Sequence, residues 1–331
     1  MKRIRGEIYL NYVTIMLKIV GDLCNMSCYY CYEERKDMSS EREVFCSSRD
    51  VIEFLNGYKD YLSVFIVFHG GEPLLADKKV ICEILEFLDK NFINNYNIQF
   101  QTNGTLLDHE WINIFNKYSS KISLSISLDP IGDFDLRRSN SFKYRERVIE
   151  NLKLINKSKI KNIGIISVAH KYNINYFEAF TNELITLGIK NLTINKYRTQ
   201  NLYNDKYYIS EEEYNNMLKK LIVHLIKEKI YRNINIQPII SLLSNNPNRL
   251  CTYLADTYKC KYFKVFYNKN NYRDYCNHLK DEVRSVDLKC LKCDIYNWCG
   301  SGCLAEKKDR TFCTSRRNLK LFLEEIKNEN R

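Results

Sequence analysis

Residues 24–31 read Cys24-Asn25-Met26-Ser27-Cys28-Tyr29-Tyr30-Cys31, and they follow the apolar, strand-length run Thr14–Val20. Three thiols thus fall inside eight residues just beyond a strand. A four-iron cluster takes one ligand per iron, and cysteine thiolate is the usual one. Three ligands leave one iron open to a substrate or cofactor. The competing reading is structural zinc, which takes four protein ligands. No histidine or fourth cysteine lies within the loop.

Downstream, further apolar runs recur at Val64–Phe68, Asn97–Gln101, Ile122–Leu128, Ile163–Val168 and Leu192–Lys196. Amphipathic helical patterns separate them near 48–59, 78–93, 108–117, 144–157 and 175–187. Strands alternating with helices imply a parallel sheet with helices outside it. Six such units can curl into a partial (β/α)6, TIM-like barrel, whose active site sits where the strands end. The candidate motifs fall at those ends. The cysteine loop follows the first strand, His69-Gly70-Gly71-Glu72-Pro73 the second, Thr102-Asn103-Gly104 the third and Asp129-Pro130 the fourth. After Thr199 the pattern changes: Ser210 with Glu211–Glu213 reads as a helix start, and a helix runs to about Lys229.

The chain has 331 residues and 13 cysteines. Eight cysteines lie beyond residue 250, in a turn-rich stretch that needs a metal staple because it cannot build a large apolar core alone. Cys82 sits in a helical apolar pattern and reads as core, and Cys46 as structural. No signal-type segment and no run long enough to span a membrane occurs, so a soluble, cytoplasmic protein without membrane contact is expected. In such a compartment cysteines serve metal or redox chemistry rather than disulfides. The net charge of +11 is spread among mixed-sign helix faces, and no nucleic-acid partner is expected.

The Cys24–Tyr32 segment resembles the signature loop of the radical S-adenosylmethionine (SAM) superfamily, down to the aromatic residue, here Tyr30, before the third cysteine. The resemblance implies a four-iron–four-sulfur cluster on Cys24, Cys28 and Cys31 whose open iron is chelated by SAM. Reduction then yields a 5′-deoxyadenosyl radical that takes hydrogen from a substrate. Gly70-Gly71-Glu72-Pro73 resembles the segment that holds the SAM amino group: glycines let backbone come close, and Glu72 adds negative charge. By the same resemblance Gln101, Asn103, Ser127 and Asp129 face SAM, and Arg138 pairs with its carboxylate.

The C-terminal pattern Cys290-x2-Cys293-x5-Cys299-x3-Cys303, then Cys313, resembles the SPASM extension of that superfamily, which binds one or two auxiliary four-iron clusters. Cys260 and Cys276 match its upstream pair, with Asn271 at the family's glycine position. The resemblance implies one cluster on Cys251, Cys260, Cys276 and Cys303, and another on Cys290, Cys293, Cys299 and Cys313. Zinc knuckles are the alternative for these cysteines. The implied domains are a radical SAM barrel over 1–200, a helical connection over 201–250, and a SPASM domain with a C-terminal helix over 251–331.

Enzymes of this layout mostly modify peptides or proteins, with an electron donor such as flavodoxin or ferredoxin. Maturation of a ribosomally made peptide, by a thioether or carbon–carbon cross-link or a related change, is the reading favoured by sequence. The alternative is formylglycine formation of the anaerobic sulfatase-maturase type. There an Asp follows the cysteine matched by Cys276; here Asn277 stands in its place and cannot accept a proton. Asp274 and His278 are the candidates to replace it. Only about a dozen residues precede the first strand, so no leader-peptide domain is expected and any leader recognition falls to a separate protein or another surface. A zinc-binding adaptor without catalysis is the reading from another class.

Overall fold

The structure, a computed structural model, describes residues 12–31, 46–93, 95–137, 143–199, 205–244, 263–268, 271–273, 288–302 and 309–329. Six strand–helix units form as the periodicity implies. The strands are β1 (Tyr12–Leu17), β2 (Ser63–Phe68), β3 (Tyr96–Thr102), β4 (Ile122–Ser127), β5 (Asn162–Ala169) and β6 (Asn191–Lys196). The helices between them are α1 (Ser48–Asn56), α2 (Lys78–Asn91), α3 (His109–Lys117), α4 (Tyr144–Ile155) and α5 (Phe177–Thr186).

Local sequence explains the elements. In α2, Asp77 caps the first turn by accepting from the Lys79 N–H, and Ile81, Ile84, Leu85 and Leu88 form one buried stripe. Each such side chain contributes about 1.5–3 kcal/mol when fully buried. β5 alternates inward and outward along its length, as a strand with a core face should. Phe68 and Phe100, paired in register across β2 and β3, stack with ring centroids 4.4 Å apart, and Phe115 of α3 closes over Phe100. A helix α6 (Glu211–Lys227) begins with a reciprocal capping box between Ser210 and Glu213.

The sheet is wider than six strands. Strands β7 (Asn235–Gln237), β8 (Phe263–Asn268) and β9 (Asn271–Arg273) extend it to the order β7-β6-β5-β4-β3-β2-β1-β8-β9. All neighbours pair in parallel except β8 with β9. β8 comes from the cysteine-rich stretch where no regular element was expected. The strand following α6 and a short helix α7 (Ile239–Leu243) were likewise not foreseen. The first strand also ends earlier than the apolar run suggests. Ile19 and Val20 are buried, yet they lie in a turn: Lys18 N–H donates to Phe266 O, Gly21 N–H to Lys18 O, and Gly21 has φ of 59°. That turn aims the chain into the cysteine loop.

The C-terminal part adds the short helices α8 (Leu288–Leu291) and α9 (Tyr296–Cys299) and the long α10 (Phe312–Glu329). α10 packs on α6, where Asn215 donates to Ser315 Oγ at 2.8 Å. No described helix is long and apolar enough to cross a membrane.

Candidate active site and a second thiol site

A cavity of about 280 Å³ opens at the C-terminal ends of the parallel strands. Cys24, Cys28 and Cys31 line it, together with Tyr30, Gly70, Gly71, Gln101, Asn103 and Ser127. These nine sequence-selected residues thus meet at one place. His69 lines it too, held neutral: burial and the nearby Lys18 lower its pKa to about 3, and its Nδ1 accepts from the Gly70 N–H. Burial pushes the Cys24 thiol up to about 11, only partly offset by the Met26 N–H and the Asn103 carboxamide. A thiolate there needs a cation beside it, which is what a bound metal supplies.

The glycine motif has a framing role. Gly71 N–H donates to Gly21 O and Glu72 N–H to Leu23 O, so this segment is laced to the chain just before Cys24. A Cβ on Gly71 would lie 1.9 Å from Leu23 O, and one on Gly70 2.4 Å from Gly21 O. The close approach that the glycines permit is therefore to the cysteine loop's own backbone. Glu72 and Pro73 do not line the cavity. Glu72 is fully buried and accepts from Thr102 Oγ1, Leu74 N–H and Asn103 N–H. Burial raises its pKa against these hydrogen bonds. Its carboxyl ties the end of β2 to the end of β3.

Asp129 is likewise an anchor rather than a lining residue. It accepts from the Tyr30 hydroxyl at 2.6 Å, and from Ser167 Oγ and Val168 N–H. Arg137 donates to the same hydroxyl at 2.9 Å. Arg138, chosen by resemblance, lies outside the described residues, whereas Arg137 lines the cavity. Its Nε is one of two buried side-chain polar atoms without a hydrogen-bond partner among the described residues. A buried guanidinium N–H without an acceptor is a place prepared for a ligand's anion. Sequence reasoning also missed Lys196 and Tyr197, at the end of β6 on the far wall.

A second cavity, of about 300 Å³, lies between α8, α9 and α10. Cys290, Cys293, Cys299 and Cys313 all line it. Arg317 Nη2 donates to Cys293 Sγ at 3.3 Å, Ser301 Oγ to Cys290 Sγ at 3.4 Å, and Arg316 Nη1 to Cys299 Sγ at 3.8 Å. Burial raises the Cys299 pKa, with Arg316 opposing it. Among the described residues no three His, Cys, Asp or Glu converge on the position of a single ion; these four thiols are spread around a space instead. Cys251, Cys260, Cys276 and Cys303, and the base candidates Asp274 and His278, lie outside the described residues.

The family model described as the radical SAM superfamily matches residues 18–184, from the end of β1 to α5. The chain belongs to the radical SAM superfamily. Members use a four-iron–four-sulfur cluster and SAM, and the three-thiol cavity, with an arginine whose Nε has no partner among the described residues, suits both. Membership replaces the adaptor reading with that of a radical SAM enzyme. The cysteine-type anaerobic sulfatase-maturating enzyme of Clostridium novyi (strain NT) is 23% identical over 92% of this chain and 93% of its own. The structure is similar to native anSMEcpe with bound AdoMet (SAM) and Cp18Cys peptide, with a TM-score of 0.76 at 16% identity, covering 97% of this chain and 100% of that one. Streptococcus suis SuiB bound to precursor peptide SuiA matches with a TM-score of 0.61 at 17% identity, over 88% of this chain and 72% of that one. These likenesses establish the radical SAM partial barrel with a SPASM-type C-terminus as the fold.

Proposed function

We propose that this radical SAM enzyme oxidises a Cys or Ser side chain of a peptide or protein, in the manner of the anaerobic sulfatase-maturating enzymes. The observation that carries the reading is similarity to such an enzyme along nearly the whole chain, cysteine-rich end included. It displaces the preference for peptide cross-linking that Asn277 suggested. A second reading, cross-linking of a ribosomally made peptide, keeps that observation in its favour, together with the fold shared with SuiB bound to its precursor peptide.

When bound, the cluster and SAM supply a carbon radical that removes hydrogen from the substrate. The chain's own residues do the rest. Cys24, Cys28 and Cys31 would hold three irons. Arg137, by its buried Nε, would take the SAM carboxylate. Gln101 and Ser127, at the ends of β3 and β4, would hold the remaining polar groups. Tyr30, held by Asp129 and Arg137, lines the cavity and would help keep water from the bound cofactor. The four C-terminal cysteines would hold an auxiliary cluster, with the boundaries of barrel and SPASM domain near 200 and 250. A small donor protein such as flavodoxin or ferredoxin would supply the electron.

The test uses the anaerobically reconstituted chain with SAM, a reductant and Cys- and Ser-containing peptides. Sulfatase-type oxidation gives an aldehyde that a hydrazide reagent traps. A product lacking two hydrogens and untouched by hydrazide would favour cross-linking. Absence of any peptide change, with 5′-deoxyadenosine still made, would remove both readings.

A further inference from the structure

The C-terminal cavity has a surround that its cysteines alone do not explain. Two consecutive arginines of α10 reach two of its four thiols, Arg316 to Cys299 and Arg317 to Cys293, and Ser301 reaches a third, Cys290. Arg316 is held from several sides. Arg316 is 1% exposed, and its Nε donates to Glu211 Oε1 at 2.9 Å. Glu211, 3% exposed, also accepts from Lys196 Nζ at 2.9 Å through its other oxygen. Lys196 lines the barrel cavity. One run of ionic contacts, Lys196–Glu211–Arg316–Cys299, therefore leads from the SAM cavity to the second thiol site. Arg317 is oriented by Asp294, 2.7 Å from its Nη1.

We propose that Arg316 and Arg317 are positioning residues that set the reduction potential of the cluster at Cys290, Cys293, Cys299 and Cys313, holding it more easily reduced than it would be without them. This rests on the reading that those cysteines bind a cluster. The physics is direct. Hydrogen bonds to the sulfurs and net charge nearby tune such potentials, and partners outside the ligand set orient and tune the ligands themselves. A fixed guanidinium stabilises the added electron of the reduced state more than the oxidised state. Hydrogen bonds from charged donors are about twice as strong as neutral ones, so the arginines outweigh Ser301. Glu211 fixes the direction of the buried Arg316 guanidinium, so little reorganisation there accompanies reduction, while Asp294 pairs with Arg317 at a partly exposed position.

The experiment is a redox titration of the anaerobically reconstituted full chain carrying Cys24→Ala, Cys28→Ala and Cys31→Ala, which silences the N-terminal site. The reduced fraction is read by electron paramagnetic resonance. Adding Arg317→Met, at a partly exposed position that folding tolerates, is expected to lower the reduced-to-oxidised ratio at a fixed potential by about tenfold. For a one-electron couple that is a shift of about 59 mV. Arg316→Met is expected to shift it at least as far, and Arg316→Lys less, because it keeps the charge and loses the fork geometry. Iron-replete variants that titrate with their parent would overturn the proposal and leave the arginines as fasteners of α10. If Arg316→Met fails to retain iron, Arg317→Met alone decides. If iron content does not fall on Cys290→Ala with Cys293→Ala, the cluster reading itself fails, and the proposal with it.

Discussion

The two thiol sites are built by opposite means. The N-terminal one stands on strand ends, and the groups on its Cys24 thiol are neutral: a backbone N–H and the Asn103 carboxamide, with Glu72 hidden behind. The C-terminal one stands on helices, and its frame is cationic, with guanidinium groups on Cys293 and Cys299. The contrast extends to the carboxyl beneath each site. Burial wins at Glu72 and raises its pKa. At Glu211 burial also pushes upward, but Arg316 and Lys196 outweigh it and hold the group below its usual range. A site that would leave one iron open for a cofactor keeps cations, Lys196 and Arg137 among them, on the cavity wall, while its Cys24 thiol meets neutral donors. A site whose four cysteines would all serve as ligands is free to carry fixed charge against its sulfurs.

The largest effect expected from breaking this contrast is at Glu211. Glu211→Ala leaves Arg316 buried without its carboxylate and Lys196 with only Asp309, 3.8 Å away, and loss of one partner of a buried pair costs about 3–5 kcal/mol. Chemical denaturation should show that loss, and amide exchange should locate it at the contact of α6 with α10. An effect under about 1 kcal/mol, the range of an exposed pair, would mean the ionic run is not what joins the two parts.

Next in size is Gly71→Ala. The added methyl meets the Leu23 carbonyl, and overpacking of that kind costs about 1–3 kcal/mol. The strain falls on the backbone that carries the cysteine loop, so iron at the N-terminal site should drop while iron at the C-terminal site is retained. Equal loss at both sites would show general unfolding and erase the distinction.

Acidification should affect the two regions in opposite directions. Glu211, with its pKa lowered, contributes stability that is complete above the usual 4.5 and lost as pH falls through its folded value. Glu72, with its pKa raised, contributes stability that is complete below 4.5 and lost as pH rises through its folded value. Amide exchange, corrected for intrinsic rates, should therefore show the Glu72–Ala76 turn firming as pH falls from neutral. The α6–α10 contact should hold until below 4.5 and then loosen. The two regions loosening together would contradict the assignment.

The smallest expected change is Ser301→Ala, which removes one neutral donor from Cys290. A shift of the C-terminal reduced-to-oxidised ratio of about twofold, well below that of Arg317→Met, is expected from the weaker neutral bond. A shift as large as the arginine's would mean charge is not the controlling factor.

Much of the N-terminal site was legible in sequence because it is local. Cys24, Cys28 and Cys31 sit within one turn, and the strand-end motifs announce themselves by period and by glycine. What was hidden depended on backbone phase or on distance along the chain. Arg137 carries no motif of its own, and only the folded loop shows that it lines the cavity. Glu72 and Asp129 read as cofactor contacts, but their oxygens are consumed by Thr102, Asn103, Tyr30 and Ser167. β8 was unreadable because its partner is β1, at the far end of the sequence. Arg316 and Arg317 carry no motif; they matter only because α10 returns across α8 and α9.

The most direct test is production of 5′-deoxyadenosine by the reconstituted chain beside two variants, one with Cys24, Cys28 and Cys31 and one with Cys290, Cys293, Cys299 and Cys313 changed to Ala. The account predicts that wild type and the C-terminal variant cleave SAM and the N-terminal variant does not. Cleavage that survives loss of the N-terminal cysteines, or that vanishes in the C-terminal variant while its N-terminal iron is intact, would contradict it.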